Sequence, residues 1–171
     1  MSLADLANLG EAIGGVAVLV TLIYLAFQMR QSADLAQGVA QRDLMNSFQD
    51  NLDRVARDPI LWQRGVTDFE ALSNEDKLLF QLAFNPFINH LEQTLRMRGR
   101  GLESQDNVDV YGNICLSLVL EPGVRQLWEQ MKPLYFPLSR EYIEQRLNDG
   151  ADSAPRASEV MPWTVPDEPA D

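Results

Sequence analysis

Ala12 to Phe27 reads AIGGVAVLVTLIYLAF, a run without a charged residue. Extending it back to Leu9 gives 19 positions and one charge, Glu11. A bilayer-spanning helix needs roughly 17–25 mostly apolar residues, since each adds about 1.5 Å of rise. Three competing readings fit less well. A cleaved leader calls for a basic n-region and a small-residue cleavage site. Met1 to Glu11 instead carries Asp5 and Glu11, with no Lys or Arg. A core helix apolar on every face must be wrapped by protein, which a domain of this size can hardly do. An interfacial helix needs a polar face, and Val16 to Leu25 has none. The run is therefore expected to be a transmembrane anchor, occupying 1–29.

Charge asymmetry orients it. No basic residue precedes the run, whereas Arg30 follows at once and Arg42 comes later. Positive charge favours the cytoplasmic side, so the N-terminus is expected outside and the rest of the chain in the cytoplasm. Tyr24 lies near the cytoplasmic end, where an amphipathic ring prefers the interface. Gly10 and Gly14 form a GxxxG pair, extended by Gly15 and Ala17. Small residues let helices approach closely in lipid. The stripe reads either as a helix-packing face, for a second copy or another membrane protein, or as a smooth lipid-facing surface. Glu11 sits near the first turn, where the helix dipole and the interface both tolerate a carboxylate.

Beyond the run the helical signals continue. Met29 to Arg57 holds no Pro and one Gly, with Leu35, Val39, Met45, Phe48, Leu52 and Val55 near a 3.6 period. One long helix leaving the membrane is expected. Asp58-Pro59 is a cap followed by Pro at a first helical position. Ser73 to Asp76 opens a helix whose apolar side is read as Leu78, Leu79, Leu82, Ala83, Phe87, Leu91 and Leu95. Pro86 is expected to bend or split it, and Gly99 and Gly101 to end it. Asn107 to Leu120, Val124 to Met131 and Ser139 to Leu147 follow as amphipathic helices. No alternating strand pattern appears. The fold class expected is all-α, a transmembrane helix continuing into a small helical bundle over 30–149. From Gly150 to Asp171 the chain is rich in Pro and acidic residues, a composition that reads as a disordered tail. Within it, Met161-Pro162-Trp163 reads either as a docking motif or as a strap laid on the protein's own surface.

The net charge is −11, and no segment is basic. Nucleic-acid binding needs clustered cations to displace counterions from phosphates and is not expected. Anionic headgroups would repel the acidic domain. The single cysteine, Cys115, allows no intrachain disulfide and fits a reducing compartment. It sits between Ile114 and Leu116 and reads as a buried thiol.

Catalytic signatures are sparse. His90 is the one histidine. Glu92, two positions on, falls on a different side of a helix, so the pair cannot jointly grip a metal there. His90, Glu92 and Arg96 remain a possible polar site lining a pocket between helices. The carboxylate pairs Asp106/Asp109 and Glu141/Glu144 have the i, i+3 spacing of a shared proton or hard cation, but surface charge accounts for them better. Arg96, Arg98 and Arg100 form a basic cluster. It suits either a phosphate or acidic partner, or helix termination and pairing with the chain's own carboxylates. No catalytic, cofactor or metal residue is expected.

Asn8 to Gly15, Leu22-Ile23-Tyr24-Leu25 and Gln28-Met29-Arg30-Gln31 resemble the opening of a set of bacterial single-span proteins, L-G-E-x-I-G, an aliphatic run, then Q-I-R-Q. Glu121 to Trp128, with Tyr142 downstream, is similar to their closing P-G-x-R-x-W-W, Leu127 replacing the first Trp. The resemblance covers about Leu6 to Leu147. It implies a single-pass protein of the bacterial inner membrane and transfers no catalytic role. The function expected is a non-enzymatic interaction module or accessory subunit, with membrane lipid and another membrane protein or a second copy as partners. The alternative is a tethered enzyme or ligand sensor.

Overall fold

The computed structural model describes residues 3–149 and 154–166. The described residues form helices and turns, with no strand among them. The helices are α1 (Leu3–Arg57), α2 (Pro59–Thr67), α3 (Asn74–Gly99), α4 (Gln105–Val119), α5 (Pro122–Met131), α6 (Pro137–Asn148) and α7 (Ala157–Val160). Short 3-10 turns occupy Lys132–Leu134 and Pro162–Thr164. The chain divides into two compact units, Met1–Arg42 and Asp43–Asp171.

In the first unit, every described side chain from Ile13 to Phe27 is exposed. The larger ones, such as Val16, Leu19 and Ile23, keep about 60% of their surface free. Thr21 donates its hydroxyl to the Ala17 carbonyl at 2.8 Å. That bond satisfies one of the run's two hydroxyls within the helix, the other being that of Tyr24.

The second unit is built around α3, which packs against α2, α4 and α6, while α5 lies on α2 and α4. Local chemistry sets the helix starts. The Leu61 amide donates to the Asp58 carboxylate at 2.9 Å, the Asp76 amide to the Ser73 hydroxyl at 3.1 Å, and the Asn107 amide to the Ser104 hydroxyl at 3.2 Å. Each satisfies a donor that a helix N-terminus leaves open. Gly101, at φ +71°, turns the chain after α3 in the left-handed region that Gly enters freely. The core gathers Trp128, Phe80, Phe84, Ile88, Leu91 and Leu116, all essentially without exposure. Where α5 crosses α2, a Cβ on Gly123 would lie 2.0 Å from the Gly65 carbonyl oxygen. The Pro-Gly start of α5 is thus what lets the two backbones meet.

Four expectations change. The buried side of α3 is Phe80, Phe84, Phe87, Ile88 and Leu91, while Leu78, Leu79 and Leu82 are about half exposed. Both stripes share the helical period, and the aromatic one buries more area per residue. Pro86 does not split α3. It frees the Leu82 carbonyl, and Leu82 sits on the exposed side, where water can take the place of the missing donor. On α1 the inward stripe is Leu44, Phe48, Asn51 and Val55, whereas Met45 and Leu52 stay exposed. Finally, 154–166 is not a loose tail. Ala154 and Ala157 enter the core, and the Ser158 amide donates to the buried Glu121 carboxylate at 2.6 Å. Val165 also packs on the core, and the stretch has one acidic residue, Glu159, so the composition of the whole 150–171 segment hid an apolar middle. Residues 150–153 and 167–171, the remainder of the expected tail, lie outside the described residues.

Candidate functional site

The structure separates the residues of the expected polar site. Glu92 is buried and fully engaged. One carboxylate oxygen accepts from Arg96 Nε at 2.8 Å, the other from the Ser139 amide at 2.7 Å. Arg96 also lies over the Phe136 ring, 5.3 Å from its centroid. The group ties α3 to the start of α6, which supplies no side-chain cap of its own. It is an ion pair with a helix N-terminus as third member, chemically a clamp.

His90 faces elsewhere. Its ring lies 4.3 Å from that of Tyr111 and 5.2 Å from that of Phe48, centroid to centroid. It is 2% exposed, and neither ring nitrogen has a hydrogen-bond partner. Burial lowers its pKa to about 4, against an opposing pull from Glu103. The imidazole is therefore neutral near pH 7 and sits in an aromatic slot between α1 and α4.

The other reactive groups are spent as well. The Cys115 thiol donates to the Phe87 carbonyl at 3.4 Å, and burial pushes it up to about 12. A thiol so far from its thiolate is a poor nucleophile. Of the carboxylate pairs, Asp109 accepts from Gln105, and Glu144 accepts the buried Trp128 Nε1–H at 2.7 Å and pairs with Lys132. No three metal-ligating side chains gather among the described residues.

The packing stripe falls on α1. Among the described residues, nothing beyond the helix's own neighbouring backbone lies within 4 Å of a Cβ added to Gly14 or Gly15, so no contact described there requires glycine. The surroundings of Gly10 lie outside the described residues.

What the sequence reading missed is a cleft of about 430 Å³ in the second unit. Phe48 and Leu52 of α1, Trp62 of α2, Phe87 of α3 and Ile114 and Leu118 of α4 form its apolar walls. Met161, Trp163 and Thr164 border it from the strap. Gln63 Nε2 donates to the Trp163 carbonyl at 2.8 Å, holding the strap backbone, while the indole remains 70% exposed. Both readings of the Met161-Pro162-Trp163 motif thus have a counterpart, since the backbone is strapped down and the ring is presented. The sequence signal was the lone Trp between two prolines. Nothing in the spacing of Phe48, Trp62 and Ile114 tied them to it. No protein-family model, no curated protein and no solved structure matches this chain.

Proposed function

We propose that this chain is a single-pass, membrane-anchored helical interaction module without catalytic activity, an accessory subunit of a larger membrane assembly. One observation carries the reading. Along one helix that is long and apolar enough to cross a bilayer, the side chains from Ile13 to Phe27 are all exposed. Burying fifteen such residues in hydrocarbon satisfies them, and the helix satisfies its own backbone. Arg30 and Arg42 favour a cytoplasmic second unit. The resemblance to bacterial single-span proteins points to the bacterial inner membrane. Gly14, Gly15 and Ala17, small residues on the exposed run, suit a neighbouring helix. The sealed His90, the engaged Glu92 and the buried Cys115 fit a module that binds rather than one that reacts.

The test is fractionation of cells producing the full chain. It is expected in the membrane pellet after an alkaline carbonate wash and, in mild detergent, in a species larger than the monomer. Recovery in the supernatant would remove the anchoring; a strictly monomeric extract would remove the assembly. A second reading, a tethered ligand sensor, draws on the cleft beside the strap.

A further inference from the structure

The lining of that cleft selects among ligands. Its volume, about 430 Å³, falls in the range of small-molecule sites, roughly 300–1,000 Å³. No charged residue lines it, and its polar members are Gln63, Ser117 and Thr164. Each already uses a donor on backbone. Ser117 donates to the Ile114 carbonyl at 2.9 Å, Thr164 to the Met161 carbonyl at 2.7 Å, and Gln63 to the Trp163 carbonyl. Both hydroxyl protons are spent, and what the two oxygens have left is lone pairs. The other donors in the lining are neutral, a second Gln63 amide N–H and the Trp62 and Trp163 indoles, so a carboxylate or phosphate would bury its charge with no cation to pair it. A hydroxyl would be accepted.

We propose that the cleft binds a neutral, hydroxyl-bearing single-chain amphiphile, of the monoacylglycerol class, with its chain between Phe48, Trp62 and Ile114. The strap residues Met161 and Trp163 close one side. Trp163 is tied there through its carbonyl, and its ring, 70% exposed, has room to fold over a bound chain. The inference goes beyond the anchoring role and does not use it.

The experiment uses the full chain in phosphatidylcholine vesicles with two photoactivatable probes. One is a monoacylglycerol with a diazirine in its acyl chain; the other carries the same chain on a phosphate monoester. After irradiation, peptides covering 48–55 and 114–118 are mapped by mass spectrometry. The neutral probe is expected to label them at least fivefold more than the anionic one. Ser117→Phe, which fills the cleft, and Leu52→Trp, at its exposed rim, are each expected to cut that labelling at least fivefold. Labelling of Ile13–Phe27 should not change. Equal labelling by both probes overturns the proposal, as does undiminished labelling in the two variants. Labelling of Ile13–Phe27 without the cleft peptides overturns it and leaves the anchor standing, whereas an unlabelled Ile13–Phe27 speaks against the anchor instead.

Discussion

Ile13–Phe27 and Phe80–Leu91 are both helical and both apolar-rich, yet they end in opposite environments. Val16, Leu19 and Ile23 remain about 60% exposed, while Phe80, Phe84 and Leu91 have no exposed surface. The difference lies in what stands between the apolar residues. Gln81, Asn85 and Asn89 give the second stretch a side that can face water, so its other side can pack. The first stretch offers no such side. A soluble core can take up one face of it at most, and hydrocarbon is the solvent that takes up all faces at once. The comparison teaches that the pattern of polar residues, more than the count of apolar ones, decides which solvent a helix fits.

The sharpest way to break it is to remove a large apolar side chain from each stretch. Phe84→Ala should destabilise the second unit by about 3–5 kcal/mol, the loss of burial plus a cavity. Leu19→Ala should leave its unfolding midpoint unchanged, because that side chain is 61% exposed and has little burial to lose. Urea unfolding of the full chain in mild detergent, followed by near-UV circular dichroism, checks both. Equal losses would mean that Leu19 packs against protein.

The converse substitution adds a charge. Leu19→Arg in mid-run should oppose insertion by about 3 kcal/mol. It should shift the chain from the carbonate-resistant pellet toward the soluble or aggregated fraction by roughly a hundredfold in partition. Leu79→Arg, at an exposed site on α3, should change neither location nor stability by more than about 0.5 kcal/mol. If Leu19→Arg stays fully membrane-bound, the run is not the anchor.

Acid probes a buried group within the second unit. His90 is neutral in its slot with a pKa lowered to about 4, while the unfolded chain titrates near 6.5. Its contribution is therefore fully present above about pH 6.5 and is lost as pH falls through about 4. Over that window the unfolded state binds the proton first. The loss should be on the order of 2–3 kcal/mol. Tyr111 and Glu103 face the ring from the α4 side, and Glu103 trims the effect. His90→Phe should flatten this part of the pH profile in urea titrations between pH 7 and 4. An unchanged profile would mean that the acid sensitivity belongs to other groups.

Much of this was legible in the sequence. Asp58, Ser73 and the Gly99–Gly101 stop mark helix ends by local chemistry, and local chemistry is what a sequence displays. Val108, Tyr111, Cys115 and Leu118 are one face of α4 by period alone, and all four are buried. On α3 the period was readable but its phase was not, because leucines and phenylalanines offer two interleaved stripes and only the partners on α2, α4 and α6 choose between them. The one-position offset on α1 has the same origin, since Leu44 and Asn51 face inward where Met45 and Leu52 were expected. The cleft was not readable at all. Its walls come from four helices and the strap, and sequence distance from Phe48 to Trp163 carries no record of their meeting. Glu92 illustrates the middle case. Its carboxylate was visible as a candidate, but its use as a clamp on the Ser139 amide depends on where α6 begins.

The strap offers the finest version of the comparison, since Ala154–Pro166 holds three prolines and only short helical turns and yet lies on the protein. Its hold is concentrated at Glu121, a buried residue that starts α5 but gives no side-chain cap to it. The carboxylate reaches instead to the Ser158 amide, in the first turn of α7. Glu121→Gln keeps the shape and an accepting oxygen but removes the charge, so the bond should weaken by about 1 kcal/mol. That is small against the whole unit and large for a short segment, whose other ties include Ala154, Ala157, Val165 and the Gln63 bond. The expected outcome is a body with nearly the same unfolding midpoint and a strap that opens about fivefold more often. Limited trypsin cleavage after the exposed Arg156 reads this directly, because a closed strap resists the extended conformation that proteolysis requires. Cleavage at an unchanged rate would place the hold in the alanines, and a lowered midpoint for the whole unit would make the strap part of the core that Phe84 belongs to.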